Sequence, residues 1–470
     1  MSSTTKHPGS FRDPAGHILV GEKGEIYREV MQAGREDYDG LMQSGLYDDL
    51  VAHGLLVPHK EVAARTDNKD VYKTIRPEQI PFITYPYEWS YSQLKDAALL
   101  TLEIQKRALA HNMILKDASA YNVQFIGKKP VFIDTLSFKS YTPGAPWEGY
   151  RQFCEHFLAP LALASYTSLD SLKMLRVDLE GISLELATKL LPKRAKMRAG
   201  LLSHLYLHNA SQKKYQNIAS DKQTKEVQTR KVSTFALQGI IGSLERSVRT
   251  LKAPKQQTEW GEYYTFTNYS DKSFARKRKL VKELLELAKP GPKVVWDIGA
   301  NNGEFSILAA EKGIYTVACD IDPNAVERNY RTRSKDGSDD VVMRNMLPVV
   351  QDVVNPSPAT GFMGRERESF AQRGPADLVM ALAVVHHLAI GRNLPLERIA
   401  EFLASVGRQV IIEFVPKGDS KVDILLASRR DIFSDYTEEQ FEKAMGTYFK
   451  QVEKRPIQGT KRTLYLYKIK

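Results

Sequence analysis

The sequence predicts an α/β protein whose C-terminal half is a doubly wound, mostly parallel sheet. Three observations predict it. From about residue 258 onward, short apolar runs alternate with stretches patterned for helices. One junction, "WDIGANNGEFS" at 296–306, passes from a buried strand through a glycine–asparagine turn into helix-forming residues. The C-terminal stretches "FKQVEKRPIQ" and "RTLYLYKIK" alternate around Gly459 like a closing antiparallel pair.

The elements of this half follow in order. "KVVWDIG" reads as a buried strand, and "GEFSILAAEKG" as a helix closed by Gly313. "YTVACDI" is a second strand and "PNAVERNYRTR" a helix with Pro323 in its first turn. "MLPVVQD" and "ADLVMALAVV" give the third and fourth strands, "LERIAEFLASV" a helix and "QVIIEFV" the fifth strand. Five parallel strands plus a closing antiparallel hairpin make a Rossmann-like sheet. Its ligand is expected at the carboxyl ends of the strands, near the switch point after the first. Upstream, residues 12–205 mix short strands and helices, as in an α+β accessory domain. Residues 206–257 are polar and basic, as in an exposed helix and linker, and 258–470 form the parallel-sheet domain.

At 470 residues the chain is long enough for two or three domains. Hydrophobic and charged fractions of 42% and 26% are those of an ordinary globular protein. There is no long charge-free apolar run, and the start "MSSTTKHPGSFRDPAGH" lacks the apolar core of a secretory signal. Cys154 and Cys319 are the only cysteines, so no disulfide framework is expected and a cytoplasmic setting is the default. No Cys/His cluster has metal-ligand spacing. The net charge of +11 gathers in "PKRAKMR", "KQTKEVQTRK" and "RKRK". No nucleic-acid-binding motif accompanies these, so they read as solvated surface, with no membrane partner indicated.

The turn at 299–303 narrows the ligand. A dinucleotide site uses G-x-G-x-x-G with bare backbone against a pyrophosphate. Here the second and third glycine positions hold Asn301 and Glu304, and Asp297 stands two residues before Gly299. Carboxylates repel a diphosphate and suit a ligand carrying positive charge. S-adenosylmethionine carries an ammonium, a sulfonium and one carboxylate. Asp297 is expected to meet the ammonium, and N–H groups at the helix N-terminus, around Asn301 and Gly303, the carboxylate. Asp320 ends the second strand, 23 residues after Asp297, where an acid bonds ribose hydroxyls. Asp352, after the third strand, stands where an adenine amino group would be met.

With those residues in view, 258–470 resembles a class I S-adenosylmethionine-dependent methyltransferase. "DIGANNGEFS", "CDIDPNAVERN", "ADLVMALAVVHHL" and "VIIEFV" stand for its strand-end motifs. The whole chain also resembles a group of bacterial nodulation-related methyltransferases, through "YPYEWSYSQLKDAALLTLEIQKRAL", "LKDASAYNVQFIGKKPVFIDTLSF" and "RQFCEHFLAPLALASY". The resemblance implies methyl transfer to an acceptor that the sequence does not specify. His386 and His387, after the fourth strand, are candidate general bases. Family members that methylate amide or base nitrogens carry Asn/Asp-Pro-Pro-Tyr there. This chain does not, which favours oxygen or small-molecule acceptors. Glu413, Arg392 and Asn393 are further candidates to face the acceptor. Trp260, Tyr263, Tyr264 and Tyr269 crowd the segment before the first strand, where an aromatic face attracts a sulfonium.

The front half carries its own pattern. Asp117 and Asn122 stand in D-x-x-x-x-N and Asp134 follows "PVFI", the spacing by which kinases place a base and metal ligands. "GHILVGEKGEIYREV" reads as strand–turn–strand, "EDYDGLMQSGLYDDLVAHG" as a helix, and "VYKTI" and "PFITYPYEW" as strands. This order fits a reduced kinase-like lobe in which Arg28 replaces the strand lysine. Leu115-Lys116 before the aspartate, Thr135-Leu136 after Asp134 and the lack of a glycine-rich loop depart from that pattern. Three functional classes therefore stand: a methyltransferase with an accessory domain, an enzyme whose front half uses ATP, and a non-catalytic S-adenosylmethionine-binding adaptor.

Overall fold

The computed structural model describes residues 4–218, 231–254, 271–332, 339–427 and 429–470. The chain divides into two units. One comprises Met1–Phe125, Pro130–Lys255 and Thr360–Arg367, the other Ile126–Lys129, Gln256–Ala359 and Glu368–Lys470.

The first unit opens on an antiparallel sheet of β1 (Thr4–Lys6), β2 (Gly16–Gly21), β3 (Ile26–Met31), β4 (His59–Val62) and β5 (Val71–Pro77), in the order β1-β2-β3-β5-β4. "EDYDGLMQSGLYDDLVAHG" forms two helices, Arg35–Gln43 and Leu46–Ala52, because Gly45 at φ +78° breaks the run. "PFITYPYEW" is not a strand. Pro81 and Pro86 have no N–H for a ladder, and Pro86–Glu88 is a short 3-10 turn. The Trp89 indole N–H donates to Thr84 Oγ1 (2.9 Å) instead. Ser90 then caps the helix Tyr91–Ala110, with Gln93 reaching back to the Ser90 N–H (2.9 Å) in a capping box. Beyond it β6 (Met113–Leu115) pairs with β9 (Phe138–Ser140), and between them lie β7 (Val123–Ile126) and β8 (Lys129–Phe132). The polar stretch 206–257 contains a packed helix, Thr234–Thr250, which buries Leu237, Ile241, Leu244 and Val248 at helical spacing. Lys95 Nζ donates to the Arg249 and Leu251 carbonyls at the end of this helix (2.9 and 2.8 Å).

In the second unit the apolar runs become β10 (Val294–Ile298), β11 (Tyr315–Asp320), β12 (Met346–Val350), β13 (Leu378–Ala381) and β14 (Gln409–Phe414). With β15 (Phe449–Pro456) and β16 (Thr463–Ile469) they form one sheet in the order β12-β11-β10-β13-β14-β16-β15. The first five strands are parallel, and β16 runs antiparallel to both β14 and β15. These strands read as continuous apolar runs because helices cover both faces of a parallel sheet. The register aligns their ends: Ile298 lies opposite Cys319 and Ala381, and Asp320 opposite Val350. Order reverses at β10, so the crevice lies between the loops leaving β10 and β11 on one side and the loop leaving β13 on the other. Among the described residues no helix is long and apolar enough to cross a membrane.

Candidate active site

A cavity of about 360 Å³ opens at the carboxyl ends of β10–β13 in the second unit. Asp297, Asn301, Asp320, Asp352, Val384 and His387 lie on its lining. Four different strand ends therefore supply one site, as a parallel sheet requires.

The turn after β10 is shaped by backbone conformation. Gly299 has φ +73°, and a Cβ there would lie 2.5 Å from Val384 Cγ2, so no other residue fits. Asn301 takes φ +51° and Ala383, on the opposite wall, +56°; both are strained positions for side-chain-bearing residues. The loop's N–H groups are engaged internally. Gly299 and Ala300 donate to the Cys319 carbonyl (both 2.9 Å), Asn301 to Asp320 Oδ2 (2.7 Å), Asn302 to Asn301 Oδ1 (2.8 Å) and Gly303 to the Ala300 carbonyl (2.9 Å). The α-helix begins only at Ser306 and runs five residues to Ala310. These five donors already have acceptors within the protein, so residues 299–303 offer a ligand carboxylate little. Gly303 (φ +85°) is absent from the lining. It makes room for Asn329, whose amide would stand 2.6 Å from an added Cβ.

The acids are held in distinct ways. Asp297 is 2% exposed and accepts from Ser306 Oγ (2.6 Å). Burial pushes its carboxyl up to about 7. Asp320 accepts from the N–H groups of Asn301 and Asp322 (2.7 and 2.9 Å), and burial still pushes it up to about 6. Both carboxyls therefore favour a ligand that compensates the charge they carry when ionised. Asp352 is half-buried at the rim and accepts from the Val354 N–H (2.9 Å).

The two histidines part company. His387 borders the cavity, while His386 is fully buried and off the lining, with its ring 4.1 Å from that of His387. Neither His386 nitrogen has a hydrogen-bond partner among the described residues. Burial lowers His387 to about 4 and His386 well below its ordinary value, so both are neutral at pH 7 rather than titrating there. Glu413 lies in a buried network instead of on the lining. It accepts from Lys277 Nζ (2.6 Å) and Arg462 Nη1 (3.4 Å), and Arg462 also grips Asp419 through Nε (2.7 Å) and Nη2 (3.0 Å). Arg392 is on the lining and exposed, whereas Asn393 Oδ1 accepts from Arg429 Nη2 (2.8 Å). Trp260, Tyr263, Tyr264 and Tyr269 lie outside the described residues. Lys277 also lines the cavity, and no motif sets it apart from its neighbours in "RKRK".

In the first unit Arg28, Asp117, Asn122 and Asp134 converge. Arg28 pairs with Asp134, Ser137 Oγ donates to Asp134 Oδ2 (2.7 Å), and Asn122 Nδ2 donates to Ser137 Oγ (3.2 Å). Asp117 accepts from the Ser119 N–H (2.9 Å) and is pushed up by burial and by the charge of Asp134. Asp134 also accepts from the Leu136 N–H (2.9 Å), so its oxygens are committed to neighbours in the same unit.

A seven-stranded sheet in this order, with acids at the ends of β10 and β11 over a crevice at the switch point, gives the second unit a doubly wound, Rossmann-like fold with a ligand-sized site. The chain as a whole belongs to the family of the nodulation protein NoeA. It is 36% identical to that protein of Rhizobium meliloti (strain 1021) over 468 residues, covering 98% of this chain and 95% of the relative. No protein-family model matches the chain. Solved structures with a likeness include the magnesium protoporphyrin IX methyltransferase of Synechocystis PCC 6803 with bound SAH (18% identity, 45% of this chain, 92% of that one, TM-score 0.31). Others are the N-methyltransferase NodS of Bradyrhizobium japonicum (13%, 42% and 97%, TM-score 0.29) and the bifunctional kinase-methyltransferase WbdD (18%, 42% and 40%, TM-score 0.26). At TM-scores this low the likenesses add nothing to what the strand order itself says.

Proposed function

We propose that the chain transfers the methyl group of S-adenosylmethionine to an oxygen of a small-molecule acceptor. The observation that carries this reading is the convergence of Asp297, Asp320 and Asp352 on one cavity at the sheet's switch point. Three acids there oppose a pyrophosphate and match a ligand with an ammonium, a sulfonium and an adenosine. Asp297 would hold the ammonium, Asp320 the ribose hydroxyls and Asp352 the adenine amino group. Gly299 and Ala383, with their unusual backbone angles, shape the wall on which the ligand lies.

When bound, S-adenosylmethionine supplies an electrophilic methyl carbon on a good leaving group. The chain's share is alignment and proton removal. His387, neutral at working pH, would take the proton of an acceptor hydroxyl as its oxygen attacks. Leu388, Phe274 and Leu425 also line the cavity and would help to exclude water from it. The stretch Leu382–Val384 carries no Asn/Asp-Pro-Pro-Tyr, which leaves amide nitrogens without the acceptor carbonyls that such sites provide.

The test is incubation of the full chain with methyl-labelled donor and fractionated cell extract. The expected product is a small labelled compound whose label is lost on deprotecting an ether or ester. Label fixed on protein glutamine or asparagine, or on nucleobases, would overturn the acceptor class.

A further inference from the structure

We propose that Lys277 is the anchor for the carboxylate of the donor's methionyl end, forming with Asp297 a clamp that recognises the amino-acid zwitterion. This rests on the reading of the cavity as an S-adenosylmethionine site.

The β10 turn offers such a carboxylate little. A bound amino-acid moiety needs donors or a cation for its carboxylate. Five successive N–H groups, from Gly299 to Gly303, already have acceptors within 2.7–2.9 Å inside the protein. A basic side chain on the lining can supply what these five groups do not. Among the described residues, two charged basic side chains belong to the lining, Arg392 and Lys277. Arg392 is exposed on the stretch after β13, where water screens it. Lys277 is 3% exposed.

Lys277 is also placed beside the right partner. It sits on the helix Asp271–Leu287, one turn after Phe274, and both line the cavity along with Asp297. Lys277 and Asp297 lie in each other's field: the ammonium favours the ionised carboxyl, and the carboxyl favours the ammonium. An ammonium–carboxylate pair on one wall is the electrostatic complement of a ligand that bears both groups on one carbon.

The surroundings hold that ammonium in place. Its Nζ donates to Glu413 Oε2 (2.6 Å) and lies 4.6 Å from the centre of the Phe305 ring, which also lines the cavity. Glu413 is fixed in turn by Arg462, and Arg462 by Asp419. A lysine buried only for stability would be an expensive choice, since an apolar residue of similar volume does as well. A chain of four alternating charges that ends at a cavity wall has a use if the last cation meets an anion there.

The experiment compares two ligands by titration calorimetry on the full chain: S-adenosylmethionine, and decarboxylated S-adenosylmethionine, which keeps the sulfonium and ammonium. A charge-assisted hydrogen bond to a buried carboxylate predicts that the wild-type chain prefers the carboxylated ligand by about 10–100-fold. In Lys277→Met this preference should fall to within about threefold, whatever change the two affinities share. Asp297→Asn should weaken both ligands. Should Lys277→Met fail to fold, Lys277→Gln combined with Glu413→Gln keeps a neutral hydrogen-bonded pair and takes the same reading. Equal loss of both ligands in a folded variant, or an undiminished preference, overturns the anchor while leaving the donor site standing. A wild-type chain that binds neither ligand defeats the donor reading itself.

Discussion

Replacing Asp297 by asparagine should make the ligand-free protein more stable and the protein unable to bind its donor. Asp297 is 2% exposed, and burial moves its carboxyl from the ordinary 3.8 to about 7. At about 1.4 kcal/mol per pH unit, that displacement corresponds to a ceiling of about 4 kcal/mol, and relaxation around a buried acid reduces it to about 1–4 kcal/mol. The sign is fixed by linkage. Below pH 4 the group is protonated in both the folded and unfolded chain and costs nothing. Between about 4 and 7 the unfolded chain loses its proton first, so folded stability falls as pH rises, and above 7 the full cost is present. Asparagine keeps the Ser306 hydrogen bond in the same volume and does not titrate. Asp297→Asn should therefore match the wild type near pH 4 and melt about 2–10 °C higher at pH 8. Thermal unfolding across pH, with hydrogen exchange of the β10 amides to follow the second unit, reads this directly. S-adenosylmethionine should raise the melting point of the wild type only. A variant no more stable than wild type at pH 8, or one with the same pH slope, would refute the account of Asp297 as a buried acid awaiting a cation.

Further outcomes rest on the same geometry. Donor affinity of the wild type should rise with pH from 5 to 7.5, because ammonium binding needs ionised Asp297; calorimetry in buffers of different ionisation enthalpy should detect the released proton. Gly299→Val should lower donor affinity at least about 100-fold, since it must resolve both φ +73° and a 2.5 Å approach to Val384; circular dichroism checks that the sheet survives. Asp320→Ala should weaken S-adenosylmethionine and S-adenosylhomocysteine by similar factors in parallel titrations, because the ribose is common to both. Once an acceptor is in hand, His387→Ala should slow single-turnover methyl transfer by about 10²–10⁴-fold with donor affinity unchanged, whereas His386→Ala should change the melting temperature and spare turnover in the folded fraction.

Much of the second unit could be read from the chain because its physics is local. A strand of a parallel sheet is buried on both faces, so "KVVWDIG", "YTVACDI" and "QVIIEFV" announce themselves as apolar runs. Acids placed just after such runs are brought together by the parallel register, which is why Asp297, Asp320 and Asp352 meet on one cavity. Features that depend on long-range packing could not be read. "PFITYPYEW" has the composition of a strand, yet its prolines and the Trp89–Thr84 bond give a turn. The helix Thr234–Thr250 hides its buried stripe in a region dominated by lysine and glutamine. The split between His386 and His387 is decided by which side of one backbone turn faces the cavity, and composition carries no trace of that. Lys277 and Glu413 are 136 residues apart, and nothing local in "RKRK" distinguishes the one lysine that turns inward.

The central claim is that the crevice of the second unit takes S-adenosylmethionine through its buried acids. Equilibrium titration calorimetry of the full chain at pH 7.5 tests it without an acceptor. The account predicts one site that binds both S-adenosylmethionine and S-adenosylhomocysteine, that is lost in Asp297→Asn while the fold persists, and that ATP does not compete for. A folded wild-type chain that gives no binding heat with either ligand in two buffers and no thermal shift, or undiminished binding by the Asp297→Asn variant, would contradict it.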